Sequence, residues 1–392
     1  MKDECQYSEF DRKENLHFES KVVHGALGYE PITGAVSFPI FQTATFRHKA
    51  FDVSTGYYYS RLENPTRQEL ERSMAILEGG AEGVAFSSGQ AANMSIFGML
   101  KNGDHVILSD DIYGGTFRIC NDIFSNLGCE FSFVDLSDLS NLTAAIRPET
   151  TMIFVETPTN PMMKVADIKA ISEIAKKNNC VLVVDNTFLT PYFQRPIELG
   201  ADIVVHSGTK YLCGHNDVIA GIVVVAKQEM AQHFIAQIKS RGNGLAPFDS
   251  WLILRGLKTL ALRMERHNEN AKKVAAWLRQ HPKVKKVYYV GFDDHKNYDI
   301  TLKQTSGFGG MISFELDSVE TARGLLSRVK MILFAESLGG TESLVTYPLT
   351  QTHESIPADI REKLGINEQF IRISIGIENV EDIIEDLRQA LA

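Results

Sequence analysis

Residues 201–226 read ADIVVHSGTKYLCGHNDVIAGIVVVA, two apolar runs with one cation, Lys210, set between them among small hydroxyl residues and glycines. Short apolar runs rich in valine and isoleucine and bounded by turn residues are the pattern of strands buried on both faces. A lysine that follows such a strand either reaches out to water or performs chemistry that needs an amine. Solvent is the default for a lysine taken alone, so the rest of the chain has to decide.

The strand pattern recurs upstream. EGVAFSS (82–88), DHVILSD (104–110), CEFSFVD (129–135), TMIFVET (151–157) and CVLVVDNTF (180–188) precede ADIVVHS and AGIVVVA (220–226). Between them 91–103, 116–128 and 167–179 carry apolar residues at helical spacing. This alternation from about residue 66 to 225 predicts βα units that build a mainly parallel, seven-stranded sheet, hence an α/β fold. Residues 250–281 read as one or two long helices leading out of that unit. Beyond them 284–291, 309–316, 331–337 and 370–376 read as strands, and 320–329 and 380–392 as helices, of a smaller C-terminal α+β unit. The first ~60 residues show little periodicity and read as an extended arm. The expected division is therefore 1–60, 61–250 and 251–392.

Composition narrows the function. A net charge of −9 over 392 residues argues against nucleic acid as main partner, because phosphate binding needs a surplus of Lys and Arg. The first twenty residues lack the apolar core of a signal peptide, and no window approaches the ~20 apolar residues of a membrane span. A cytoplasmic location is expected. Cys5, Cys120, Cys129, Cys180 and Cys213 are odd in number and without CxxC spacing, so they read as reduced thiols. His206 and His215 lack the spacing of a helical metal pair, and no metal is expected.

Asp185 ends four apolar residues, where an unpaired carboxylate would be costly to bury. A solvated strand end is its plain reading, but the carboxyl edge of a parallel sheet is also where α/β proteins bind ligands. An anion there facing the amine of Lys210 suits a cofactor with a basic ring nitrogen and an aldehyde, as in pyridoxal phosphate (PLP). FSSGQAAN (86–93) offers a phosphate cradle: Gly89 allows close backbone approach, and the helix that follows begins with free N–H groups. An ordinary serine-capped helix is the alternative. Neither GxGxxG nor GxxxxGK[ST] occurs, which speaks against dinucleotide and P-loop sites. Ser207 and Thr209 add hydroxyls beside Lys210.

HSGTKYLCGHNDVIAG (206–221), VVDNTFLTPYFQRPIELGADIVVHS (183–207), FVETPTNP (154–161), YYSRLENPTR (58–67), SDDIYGGTFR (109–118) and AESLGGTESLVTYPLTQTH (335–353) together resemble the Cys/Met-metabolism family of PLP enzymes, the trans-sulfuration enzymes. The similarity runs from about residue 20 to the C-terminus. It implies the aminotransferase-like fold, fold type I. APFDSWLILRGLKTL (246–260) and TYPLTQTH (346–353) most resemble bacterial cystathionine γ-synthases that also act as O-acetylhomoserine thiolyases.

The resemblance implies roles. Lys210 links covalently to the cofactor and later moves protons, Asp185 keeps the pyridine nitrogen protonated, and Tyr113 stacks on the ring near the leaving group. Gly89, Gln90, Ser207 and Thr209 hold the phosphate, with Asn160 and Thr187 nearby. Tyr59 and Arg61 reach the phosphate of a neighbouring subunit, which implies a homotetramer, a dimer of dimers with shared sites. Arg372 pairs with the substrate α-carboxylate; it lies in FIRISIG on the face opposite Ile371 and Ile373. Asn160, Glu336, Ser337 and Leu338 line the substrate site. Gln90 and Cys213 depart from the residues common in the family; Gln90 is expected to act through its backbone, and Cys213 brings a thiol near the site. The expected reaction is γ-replacement on an O-acylhomoserine by cysteine or sulfide, with cystathionine γ- or β-elimination as the alternative. A methionine γ-lyase would carry an apolar residue at 336.

Overall fold

The computed structural model describes residues 16–354 and 356–392; Cys5 and the first fifteen residues of the expected arm lie outside them. Seven strands form the larger sheet: β1 (Glu82–Phe86), β2 (His105–Ser109), β3 (Glu130–Val134), β4 (Thr150–Glu156), β5 (Val181–Asp185), β6 (Ile203–Ser207) and β7 (Gly221–Val225). Their spatial order is β1-β7-β6-β5-β4-β2-β3, and β7 alone runs against its neighbours. The two strands around Lys210 are therefore adjacent and antiparallel, with Ser207 opposite Gly221.

Both faces of this sheet are covered, which explains the unbroken apolar strands. Leu182, Val184 and Val204 pack with Ile168 and Ile171 of helix Ile168–Lys177 on one side. Val183, Val205 and Val223 pack with Ala92 and Ile96 of helix Gly89–Phe97 on the other. Asp185 shares the parity of Val183, so its carboxylate faces the side of the Gly89 helix.

The second sheet has the order β10-β11-β12-β9-β8, from β8 (Val284–Tyr288), β9 (Met311–Leu316), β10 (Leu333–Phe334), β11 (Leu344–Thr346) and β12 (Phe370–Ser374). Helix Val380–Leu391 closes one face by burying Ile383, Leu387 and Leu391 beside Ile371 and Ile373. Each such side chain contributes roughly 1.5–3 kcal/mol of burial. The sheet's other face meets the larger unit, where the Ser313 hydroxyl donates to Pro161 O at 2.7 Å.

The run 250–281, expected as one or two long helices, is two, Pro247–Leu257 and Leu260–Gln280. The Arg263 guanidinium sits at their junction and donates to Gly256 O at 2.9 Å and Tyr211 O at 2.7 Å, satisfying a helix-end carbonyl. Gly256 is required because a Cβ there would come within 2.2 Å of Cys213 O. The expected helix over 116–128 is helical for Gly114–Ile119, widens into a π turn and ends as a 3₁₀ turn at Leu127. The expected strand 331–337 keeps only Leu333 and Phe334, because the amides of Lys330, Met331 and Ile332 donate to the Asp386 carboxylate instead of to a ladder. The first part of the arm carries one helix, Phe18–His24, and helix Pro65–Glu78, capped by Asn64, follows it. No helix among the described residues is long and apolar enough to cross a membrane.

Candidate active site

The carboxyl ends of β4, β5 and β6 open onto one cavity of about 250 Å³. Ser88, Gly89 and Gln90 come to it from the turn after β1, Tyr113 from the turn after β2, Glu156 and Asn160 from the end of β4, and Asp185 and Thr187 from the end of β5. Ser207, Thr209 and Lys210 follow β6 into the same space. The second sheet supplies Glu336, Ser337, Leu338 and Arg372. Parallel strands bring residues that are distant in sequence to one edge, so this convergence follows from the topology.

Lys210 is mostly buried, and its Nζ donates to Ser337 Oγ at 2.8 Å. Burial and the nearby Arg372 cation lower its pKa to about 8, against a smaller opposing pull from Glu336. The neutral, nucleophilic amine is thus available near physiological pH. Asp185 is pushed toward protonation by burial and held back by Thr187, whose amide donates to Asp185 Oδ1 at 3.0 Å. The Thr187 hydroxyl accepts the Ser207 amide at 2.9 Å, which ties the ends of β5 and β6 together.

At the anion-binding end, Ser88 caps helix Gly89–Phe97 by accepting from the Ala91 amide at 3.0 Å. The first-turn amides of Gly89 and Gln90 have no partner within a helix, and the dipole end is positive. A Cβ built on Gly89 stands 3.4 Å from Ser207 Oγ, so helix start and strand end form one cradle. The Gln90 side chain also enters the site: it packs over Gly115, and its Oε1 is buried without a protein partner. Thr209 Oγ1 accepts the Ala220 amide at 2.9 Å and donates to Ala220 O at 3.3 Å, leaving it one further acceptor position.

Arg372 is only 1% exposed. Its Nη1 donates to Asn160 Oδ1 at 2.8 Å, and its Nη2 to Ser337 O at 3.0 Å and Thr346 Oγ1 at 3.1 Å. The Nε is buried with no partner, which leaves a donor free on a guanidinium that lines the cavity. These features fit PLP and an amino-acid substrate: an amine for the aldehyde, a carboxylate for the ring nitrogen, a helix start for the phosphate and a fork for a carboxylate.

Two expected residues stand apart from this cavity. Tyr59 and Arg61 do not line it; Arg61 stacks its guanidinium 5.6 Å from the Tyr59 ring and bonds Lys239 O. Cys213 also lies outside it. Its buried thiol donates to Asp217 Oδ1 at 3.0 Å and is pushed up to about 12, so it stays protonated and inert. Cys120, Cys129 and Cys180 are buried free thiols as well. Among the described residues no cluster of three His, Cys, Asp or Glu could hold a metal. His206 instead meets Glu78 inside the core at 2.6 Å.

Sequence reasoning missed Glu156, Asn93, Phe188 and Thr352, all of which line the cavity. Glu156 carried the same signal as Asp185, a carboxylate ending an apolar run. A larger cavity of about 550 Å³ runs along β8, but its Lys164, Lys296 and Arg279 already pair with Asp110, Asp135 and Asp294, and it has no amine facing an acid across a sheet edge.

Comparison with known proteins agrees with this geometry. Residues 19–392 match the family model described as Cys/Met metabolism PLP-dependent enzyme. Cystathionine β-lyase of Lactococcus lactis subsp. cremoris is 48% identical over 95% of this chain and 98% of its own. A Bacillus subtilis cystathionine γ-synthase/O-acetylhomoserine (thiol)-lyase is 46% identical over 96% of each chain. The crystal structure of cystathionine γ-lyase from Lactobacillus plantarum, complexed with L-serine, superposes with a TM-score of 0.94 at 42% identity, covering 96% of this chain and 98% of that one.

Proposed function

Since the chain belongs to the Cys/Met-metabolism family of PLP-dependent enzymes, we propose that it cleaves cystathionine by elimination, as a cystathionine lyase. The observation that carries the chemistry is the meeting of Lys210, Asp185 and Arg372 around one cavity. Cleavage is preferred to synthesis because the relative named a β-lyase and the γ-lyase structure match the chain throughout, with the β-lyase slightly above the relative named a synthase. This reverses the γ-replacement expected from residues 246–260 and 346–353.

When bound, PLP supplies an electron-withdrawing ring that stabilises negative charge developing at the substrate Cα. In this reading Arg372 takes the α-carboxylate, offering its free Nε beside Nη2. Lys210 Nζ carries a proton from Cα toward the side-chain carbon or the sulfur, which its lowered pKa allows. Asp185 holds a proton on the pyridine nitrogen, and Tyr113 covers the ring face. Gly89, Gln90, Ser207 and Thr209 hold the phosphate. Glu336, at the exposed end of the cavity, receives the distal ammonium of cystathionine by a charge-assisted hydrogen bond.

The active unit in this reading is an oligomer with shared sites. Supporting it, the arm carries Ile32 at 90% and Phe51 at 93% exposure, apolar surface of the kind that a second copy covers. Tyr59 and Arg61 on the same arm then serve a partner's phosphate.

The product assay decides the reaction. Purified holoenzyme given cystathionine alone should release ammonia with pyruvate and homocysteine (β-elimination) or with 2-oxobutyrate and cysteine (γ-elimination). No oxo acid from cystathionine, together with rapid cystathionine formation from an O-acylhomoserine and cysteine, would reinstate the synthase reading.

A further inference from the structure

Glu156 ends β4 beside Asp185 at the end of β5, and the two are register partners in adjacent parallel strands, facing the same cavity. The carboxylate is 6% exposed and has no cation within ion-pair distance among the described residues. Its two oxygens serve different loops: Oε2 accepts the Tyr113 amide at 3.1 Å, and Oε1 accepts the Asn160 amide at 2.8 Å. Asn160 in turn receives Arg372 Nη1 on its side-chain oxygen. One carboxylate therefore joins Tyr113 and, through Asn160, Arg372.

A site that only needed one hydrogen-bond acceptor would use a neutral side chain. Two buried acids on neighbouring strands oppose each other's ionisation, and both burial and Asp185 push Glu156 toward its protonated form. The geometry calls for two acceptors set a carboxyl group's width apart. Among the side chains Asp and Glu offer that, since even the protonated form keeps a lone pair on each oxygen, whereas a glutamine would turn one acceptor into an NH₂ facing an N–H.

Building on the PLP reading above, we infer that Glu156 is a positioning residue: it ties the turn carrying Tyr113 to the loop carrying Asn160, and so keeps the aromatic cover of the ring and the carboxylate-binding Arg372 in one frame. It touches neither the substrate nor the reacting atoms; it acts through Tyr113 and Asn160.

The test is Glu156→Gln, studied with and without PLP. In the cofactor-free protein, hydrogen exchange followed by mass spectrometry should be faster in peptides spanning 109–118, 157–162 or both, with β5 and β6 protected as in wild type. In the loaded enzyme kcat should fall and KM for the amino-acid substrate should rise, for a combined loss in kcat/KM of about 10²-fold, the order expected when reacting groups are displaced by about 1 Å. Unchanged exchange in both segments overturns the proposal, as does kcat/KM within a few-fold of wild type. Exchange raised equally in β5 and β6 would mean that Glu156 only supports the fold. Should the glutamine variant fail to fold, Glu156→Asp keeps both carboxyl oxygens but is one methylene short, and it should release one of the two loops. The exchange result stands independently of the cofactor: failure of the PLP reading would appear as wild-type protein that takes up no PLP and shows no visible cofactor band.

Discussion

Asp386→Asn tests how a helix far from the cavity controls its wall. Asp386 Oδ2 accepts the amides of Met331 at 2.9 Å and Ile332 at 2.8 Å, and Oδ1 accepts Lys330 N and Gln389 Nε2, both at 2.9 Å. These bonds hold the chain that enters β10 and then carries Glu336, Ser337 and Leu338. Asparagine keeps one oxygen, loses the charge and turns the second acceptor into a donor facing another donor. Hydrogen bonds to a charged group contribute about 1.5–3 kcal/mol each and do not add fully. A loss of about 3 kcal/mol is expected, or roughly 3–4 °C in Tm, because a chain of this length unfolds with an entropy of about 2.1 cal/mol/K per residue. Burial raises the Asp386 pKa, but the hydrogen bonds outweigh it and the net shift is below the usual 3.8. A depressed carboxylate stabilises the fold above its unfolded pKa and loses that contribution as pH falls through the folded value. The gap between wild type and variant, read by thermal or urea melts, should be constant from about pH 7 to 5 and close below about pH 4. Glu385→Gln is the control, because that side chain is exposed and its partner Arg388 is a surface residue. Equal melting of Asp386→Asn and wild type at pH 7, or a gap that persists in acid, would refute the reasoning.

The rate at which the cofactor-free protein takes up PLP should climb through about pH 8, where Lys210 loses its proton, and stopped-flow absorbance at several pH values checks this; Lys210→Ala should fold and turn over nothing. Glu336→Val should lower kcat/KM for cystathionine while sparing or raising that for methionine, since the lost group would bind a distal ammonium. Subunits carrying Arg61→Ala, mixed with subunits carrying Lys210→Ala, should recover activity that neither homomer has, provided that exchange is shown by mass spectrometry. No recovery after exchange counts against shared sites.

Lys210, Asp185, Ser207 and Thr209 were legible because buried strands announce themselves and a parallel sheet delivers their carboxyl ends to one edge. Arg372 came from the resemblance, and its alternation with Ile371 and Ile373, both buried in the second core, placed it on the opposite face. Tyr113, Asn160, Glu336, Ser337 and Leu338 stand on turns without periodicity, and resemblance alone pointed to them. Glu156 escaped because its role lies in which amides it receives, and those come from segments 43 residues upstream and 4 downstream. The short β10 was illegible for the same reason: its missing ladder partners are replaced by an acid on the last helix. Cleavage and synthesis share amine, acid and arginine, so neither motif nor fold separates them.

The cavity is divided by origin. Those cofactor groups proposed within the chain, from Gly89 to Lys210, all come from the larger sheet, while Glu336, Ser337, Leu338 and Arg372 come from the second, and the contacts of Lys210 with Ser337 and of Asn160 with Arg372 cross the seam. Heredity can therefore edit the two walls separately. A change in the loop before β11 that spares the Ser337 contact to Lys210 alters what is admitted while the groups of the larger sheet stay in place, so a lineage built on this scaffold can drift in what it admits through one wall alone. Neither half expressed alone should have even a trace of the activity, because each would hold one side of a mould.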